Sequence, residues 1–205
     1  MTALSFTSWF ESLPRLFGLG IEDEDEPRFD VLALPADVEL RRYAPALFVE
    51  VTLPGDEDAS VAVGRDLLVR YVLGENAPRA EWPDSIREHG AAHMPMSTPL
   101  VSVRGADGWR VRLFLGNEMA AIEAPAPMDP RVRLVESPER VVAVTSLRGH
   151  DGSPRRKAEK RLLAWLASQS TWSRAGEIEL ADYDARAKLP FFDRHELQIE
   201  ITESR

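Results

Sequence analysis

Apolar side chains recur along this chain in two rhythms, and the change from one to the other divides it into strands and helices. From Phe29 the rhythm is alternation: Phe29, Val31 and Leu34 lead into Val38-Glu-Leu-Arg-Arg-Tyr43, a turn at Ala44-Pro45, and Leu47-Phe-Val-Glu-Val51. Gly55 and the carboxylates Asp56 to Asp58 end that run. Carboxylates favour the first turn of a helix, so a helix is expected from about Ala59, presenting Val61, Leu68, Val69 and Val72 and stopped by Gly74. A long connection, 75–96, follows; connections of that length are functional or disordered. Met96 to Val103 and Trp109 to Leu115 then alternate like a hairpin turned at Gly105 to Gly108. A Pro-rich bridge, Ala124 to Pro130, leads to strands at 132–135 and 141–147, a turn at Gly149 to Gly152, a helix over 154–168, and closing strands at 178–183 and 195–201.

The pattern over 38–72 returns at 132–166. At an offset of 94 positions Val38 falls on Val132, Leu40 on Leu134, Leu53 on Leu147 and Gly55 on Gly149, and Leu68, Val69, Tyr71 and Val72 fall on Leu162, Leu163, Trp165 and Leu166. A strand–helix unit cannot bury its own apolar faces. Two copies contributing strands to one sheet can, which predicts a pseudo-symmetric α+β domain.

Before that domain, Phe6, Trp9, Phe10, Leu13 and Phe17 fall at helical spacing, with Pro14 as an interruption. Glu11 and Arg15 intrude on the apolar run, and no stretch reaches spanning length, so neither an export signal nor a transmembrane segment is expected. Residues 1–27 read as an amphipathic arm and acidic linker, with Glu22 to Glu26 solvated, and 28–205 as the folded domain. The arm is expected to dock on its own domain; the alternative is an amphipathic segment for a membrane surface, against which the acidic run 22–26 counts, or for a weak homo-oligomer or a protein partner. The chain has 205 residues and 44% hydrophobic content, enough for one cored domain; 25 basic against 34 acidic side chains leave a net charge of −9, which argues against nucleic acid. With no cysteine, thiolate chemistry is excluded and a reducing cytoplasm is a compatible home.

Several stretches, in order, resemble the SOUL haem-binding family. Val38-Glu-Leu-Arg-Arg-Tyr43 with Pro45 is similar to the family's opening strand, and Tyr71, Gly74 and Asn76 to the end of its first helix. Met96-Ser-Thr-Pro-Leu100 resembles its Met-Thr-Ala-Pro-Val motif; Pro125, Pro127, Asp129 and Val132 resemble the bridge; Tyr183-Asp184, Lys188 and Arg194-His-Glu-Leu197 resemble the closing pattern. The resemblance implies two βαββ repeats forming an antiparallel sheet or distorted barrel with two main helices, a fold shared with effector-binding domains of the gyrase-inhibitory-protein type. It also implies reversible, non-covalent binding of haem or another tetrapyrrole in an apolar groove beside the first helix, with Lys188 near the propionates. The family's optional axial histidine is replaced by Arg42, prolines after Tyr-Asp by Ala185 and Arg186, and a tryptophan by Gln198, while 77–93 looks like an insertion.

A tetrapyrrole needs an apolar slot for its face and cations for its carboxylates; an iron ligand is optional. Leu68, Val69, Phe191 and Phe192 are the candidates for the slot, and Arg65 and Lys188 for the carboxylates. His93, just before the Met96 motif, is the candidate axial ligand; its i, i+4 partner His89 gives a zinc-compatible spacing, but Gly90 and Pro95 argue against a helix there. Glu196, flanked by Arg194, supports the alternative, a small-molecule hydrolase or effector sensor with a buried general base. The pattern favours a binding protein over an enzyme.

Overall fold

The computed structural model describes residues 25–35, 37–80, 82, 90–147, 154–183 and 194–204. Alternating apolar runs become β1 (Phe29–Ala33), β2 (Glu39–Tyr43), β3 (Ala46–Leu53), β5 (Leu100–Gly105), β6 (Gly108–Phe114), β8 (Arg133–Ser137), β9 (Arg140–Ser146), β10 (Trp172–Asp182) and β11 (His195–Glu203). Helices α1 (Glu57–Val72) and α2 (Pro154–Ala167) complete an α+β domain, and the short β4 (Asn76–Ala77) pairs with β7 (Ala126–Pro127). The nine long strands form one antiparallel sheet in the order β1-β2-β9-β11-β10-β5-β6-β3-β8.

That order forces the sheet to curl. β2 and β3 stand six places apart, about 29 Å across a flat sheet at ~4.8 Å per strand, yet the step from Tyr43 to Ala46 spans at most roughly 11 Å. The link from Ser137 of β8 to Arg140 of β9 imposes the same constraint. The sheet is accordingly a half-barrel with both helices on one face.

Strand alternation then builds two interiors. Leu47, Val49, Val51 and Leu53 of β3 and Val111 and Leu113 of β6 meet Leu67, Leu68, Tyr71 and Val72 of α1. Leu197, Ile199 and Ile201 of β11 meet Ala158 and Leu162 of α2. The opposite, concave face gathers Tyr43, Val142 and Val144 with Phe48, Phe114, Val101 and a set of buried charges. Because both faces are covered, β3 and β9 read as nearly continuous apolar runs.

Three boundaries differ from the sequence reading. Helix α1 begins at Glu57 because Asp56 serves as its N-cap, its Oδ1 accepting from the Ala59 N–H at 3.0 Å, which leaves Glu57 and Asp58 in the first turn. Strand β10 starts at Trp172; a bulge between Arg174 and Ile178 breaks the alternation that would have revealed it. Asp25 and Glu26, read as a solvated linker, are half-buried and hydrogen-bonded, as described below. Gly64 brings α1 close to the sheet: a Cβ there would stand 2.8 Å from Val111 Cγ2.

Candidate functional site

Helix α1 packs on β3 and β6, and α2 on β9, β10 and β11, so β5 and β10 form the floor between them. Along the flank of α1, Val61, Arg65 and Val69 are half-buried at i, i+4 and i+8, whereas Leu68 is fully buried and belongs to the core beneath them. Arg65 Nη2 meets Asp182 Oδ2 at 2.5 Å, with the Arg65 side chain 43% exposed. Asp182 Oδ1 lies 3.3 Å from His195 Nε2, so the C-terminal end of β10 carries a small polar cluster beside α1. Ile178 and Leu180 precede it as half-buried apolar floor. Lys188, Phe191 and Phe192 lie outside the described residues, within 184–193, whose flanking residues Tyr183 and Arg194 are joined by a backbone hydrogen bond of 3.0 Å and by the Arg194 guanidinium stacked 3.9 Å over the Tyr183 ring.

His93 is exposed, its imidazole lying against Gly74 at the C-terminal end of α1. The segment that carries it is clamped by Asn76, whose side chain donates to Tyr71 O and Ala92 O and accepts from Ala92 N. His89 falls outside the described residues, and among those described no group of three histidines or carboxylates is placed to hold a metal.

Glu196 sits on the concave face, 3% exposed. Arg41 Nη1 and Nη2 donate to its two oxygens at 2.7 and 3.1 Å, and Arg194 Nε adds a third bond at 3.2 Å. Burial pushes the carboxyl up, but Arg41 and then Arg194 outweigh it and hold Glu196 below the ordinary carboxylate range. A carboxylate so saturated is a poor proton acceptor, which counts against a general-base role. Arg41 also stacks 4.4 Å from the Phe29 ring, bonds to Tyr43 Oη at 3.1 Å, and meets Glu39. Arg194 in turn takes Glu26 through two bonds of 2.9 and 2.8 Å. Burial raises the Glu26 carboxyl, and Arg194, shared with Glu196, only partly offsets it. A second cluster joins Glu179 to Arg112 and, at 3.0 Å, to Arg140. Near these groups Pro27, Tyr43, Phe48, Tyr183 and Gln198 enclose a cavity of about 20 Å³, room for one water-sized molecule, where Gln198 Oε1 has no hydrogen-bond partner.

Of the residues singled out in the sequence, the fold thus groups Arg65 and Val69 on one flank, sets Leu68 behind them, and separates Glu196 on the other face of the sheet. Arg41, Glu26, Glu179, Arg112 and Arg140 escaped the sequence reading. For two of them a signal was there: Arg112 lies between Val111 and Leu113 and Glu179 between Ile178 and Leu180, the mark of a charge buried in a sheet, whereas Arg41, Arg140 and Glu26 each adjoin another charged residue.

Comparison with known families now places the chain. The family model described as SOUL heme-binding protein matches residues 24–200. This chain belongs to the SOUL heme-binding protein family. Solved structures also match the SOUL-family chain, among them a hydrolase from Listeria innocua at 12% identity and a TM-score of 0.50, over 83% of this chain and 94% of that one. At that identity the likeness shows the fold alone. Among curated proteins none matches. No helix of the described residues is long and apolar enough to cross a membrane.

Proposed function

We propose that this protein binds haem or another tetrapyrrole reversibly and without a covalent bond, for transport, buffering or sensing, in the groove beside α1. The observation that carries the reading is the half-open flank of Val61, Arg65 and Val69 in a member of this family: an apolar strip with one cation set into it. Lys188 follows from the family pattern, and Phe191 and Phe192 are apolar candidates for the closing side of the slot; all three follow in sequence soon after Asp182, the partner of Arg65. Leu68 backs the slot from the core. Removing a few hundred Å² of macrocycle from water at about 25 cal/mol per Å² contributes on the order of 5–10 kcal/mol, enough for micromolar binding with no iron ligand. The bound group would supply a redox-active or ligand-accepting iron; the chain supplies an apolar wall and cations, and His93 at the end of α1 if iron is ligated at all. The absence of cysteine is compatible with a cytoplasmic setting.

Two βαββ repeats are part of the same reading. Shifting β2 by 94 positions gives the bounds of β8, Arg133–Ser137, and the sheet order reads outward from the β5–β10 pair as the same sequence of equivalent strands on both sides. Glu196 catalysis is not favoured, since its carboxylate is fully engaged.

The test is a haemin titration followed at the Soret band. Val69→Asp should weaken binding by at least tenfold, and Lys188→Ala by about fivefold, the scale of a partly exposed ion pair of roughly 1 kcal/mol. If neither variant alters affinity, the groove assignment fails. His93→Ala separates the iron options: loss of six-coordinate character assigns the ligand, and an unchanged spectrum leaves the apolar slot as the anchor.

A further inference from the structure

We infer that the N-terminal arm, residues 1–24, docks back on its own domain in one particular groove, that beside the 116–121 segment at the β3–β8 end of the sheet. This groove has a volume of about 520 Å³ and is walled by Pro45, Leu47, Met119, Ala120, Ala121 and Pro138. Its lining belongs to the 45–47, 116–121 and 136–138 stretches and includes neither Asp182 nor any residue of α1, where the tetrapyrrole reading places its ligand.

Where the described chain begins decides the occupant. Asp25, the residue that follows the arm, is fastened to the groove's own lining: Asn117 N donates to Asp25 Oδ2 at 2.7 Å, and Asn117 Nδ2 bonds Asp25 Oδ1 and, at 2.7 Å, the Glu26 carbonyl. Thr98 N donates to the Asp25 carbonyl at 3.1 Å, and Asp25 Oδ2 lies 3.0 Å from where a Cβ on Gly116 would be, so Gly116 is needed for the approach. Arg194 then holds Glu26, which anchors the strap from its other side. The arm is thus delivered to the rim of the groove. Phe17, eight residues before Asp25, has a reach of up to roughly 28 Å, which leaves ample chain to lay Phe6, Trp9, Phe10 and Leu13 along it. Five large apolar side chains at helical spacing need a cover, and the alanine, leucine, methionine and proline side chains of this groove supply one, with Asn117, Glu136 and Ser137 as its polar part. The arm's one basic side chain, Arg15, has one exposed carboxylate of the lining to meet, Glu136.

The chain has no cysteine, so paired cysteines report on the contact without background. In the full-length protein, Phe10→Cys with Ala120→Cys and Leu13→Cys with Ala121→Cys should form intramolecular disulfides under mild oxidation. Phe10→Cys with Glu159→Cys, on α2, should not. Equal cross-linking to Glu159→Cys, or no cross-link at either groove position, overturns the inference; disulfides that form only between molecules overturn it in favour of a second copy. A thermal-melt cycle gives an independent reading. Phe10→Glu and Ala120→Glu should each lower Tm by about 2–4 °C, the change expected for a modest defect in a domain of this size, and the double variant should fall no further than the larger single. Strict additivity, or liposome co-sedimentation that requires Trp9 and Phe10, contradicts docking in this groove.

Discussion

Replacing Glu196 by glutamine tests the claim that the concave face is held by ion pairs rather than poised for chemistry. Arg41 and Glu196 are 6% and 4% exposed as side chains, so neither can recover water when its partner is neutralised. Removing one member of a buried pair costs about 3–5 kcal/mol, because the other charge is left uncompensated. Here the lower end applies. Glu39 still occupies the other side of Arg41, with Nε–Oε1 at 3.1 Å, and Arg194 is 40% exposed and can hydrate. About 3 kcal/mol is a large part of a stability of roughly 5–15 kcal/mol and corresponds to a fall in Tm of roughly 6–12 °C. Urea melts at pH 7 of Glu196→Gln, Arg41→Met and the double variant measure it. The double should lose less than the sum of the singles by about 1–3 kcal/mol, since no charge is then stranded by the loss of the other. A single variant within 0.5 kcal/mol of the parent, or additive singles, refutes the reasoning.

Three further outcomes follow from the same geometry. Glu196 and Glu179 both have depressed carboxyl values, burial being outweighed by Arg41 and Arg194 in one case and by Arg112 and Arg140 in the other; their stabilisation is complete above the unfolded value of about 4.3 and is lost as pH falls through the lower folded values, so the urea midpoint should drop steeply below about pH 4 and less steeply in Glu196→Gln. Gly64→Ala should destabilise by about 1–2 kcal/mol in thermal melts despite a gain of about 1 kcal/mol in helix propensity, because its Cβ would meet the fully buried Val111 side chain; a stabilised variant would show that α1 can back away from β6. Asp182→Asn should release Arg65 from its 2.5 Å pair and raise haemin affinity two- to fivefold, a surface pair being worth at most about 1 kcal/mol, and unchanged or weaker binding would remove Arg65 from the site.

How far the sequence carried this picture varied with how local each signal was. Both helices and all nine long strands announced themselves through periodicity, β10 only over its second half, since alternation at 47–51 and helical spacing at 61–72 are set by neighbouring residues. The first turn of α1 was misjudged by two residues because Asp56 could be read either as a cap or as part of an acidic cluster. The partners of β2 were not legible: Ala44-Pro45 looks like the turn of a hairpin, but β2 pairs with β9 and β3 with β6 and β8, a choice made by non-local packing. On α1, Arg65 and Val69 were visible as a cation and an apolar member of an amphipathic helix, and both are half-buried. Leu68, one step round, could not be told from them until the helix was set down on β3 and β6. The ion pairs were the least visible, because Arg41 and Glu196 are 155 residues apart and nothing local marks them as partners.

Those pairs share a feature that explains why a small domain keeps so much charge inside. Glu196 on β11 reaches Arg41 on β2 past β9, and Glu179 on β10 reaches Arg112 on β6 past β5 and Arg140 on β9 past β11. Each pair skips one strand. Strands two places apart stand about 9.5 Å from one another in a flat sheet, and on a concave face long side chains from both converge over the strand between. Curling shortens the reach for these bonds, so flattening the sheet would strain three ion pairs. The curl is in turn what lets Tyr43 join Ala46, and Ser137 join Arg140, through such short links. Glu196 is thus held for a mechanical reason, as one of the clasps that keep the half-barrel curled, its carboxylate spent on Arg41 and Arg194.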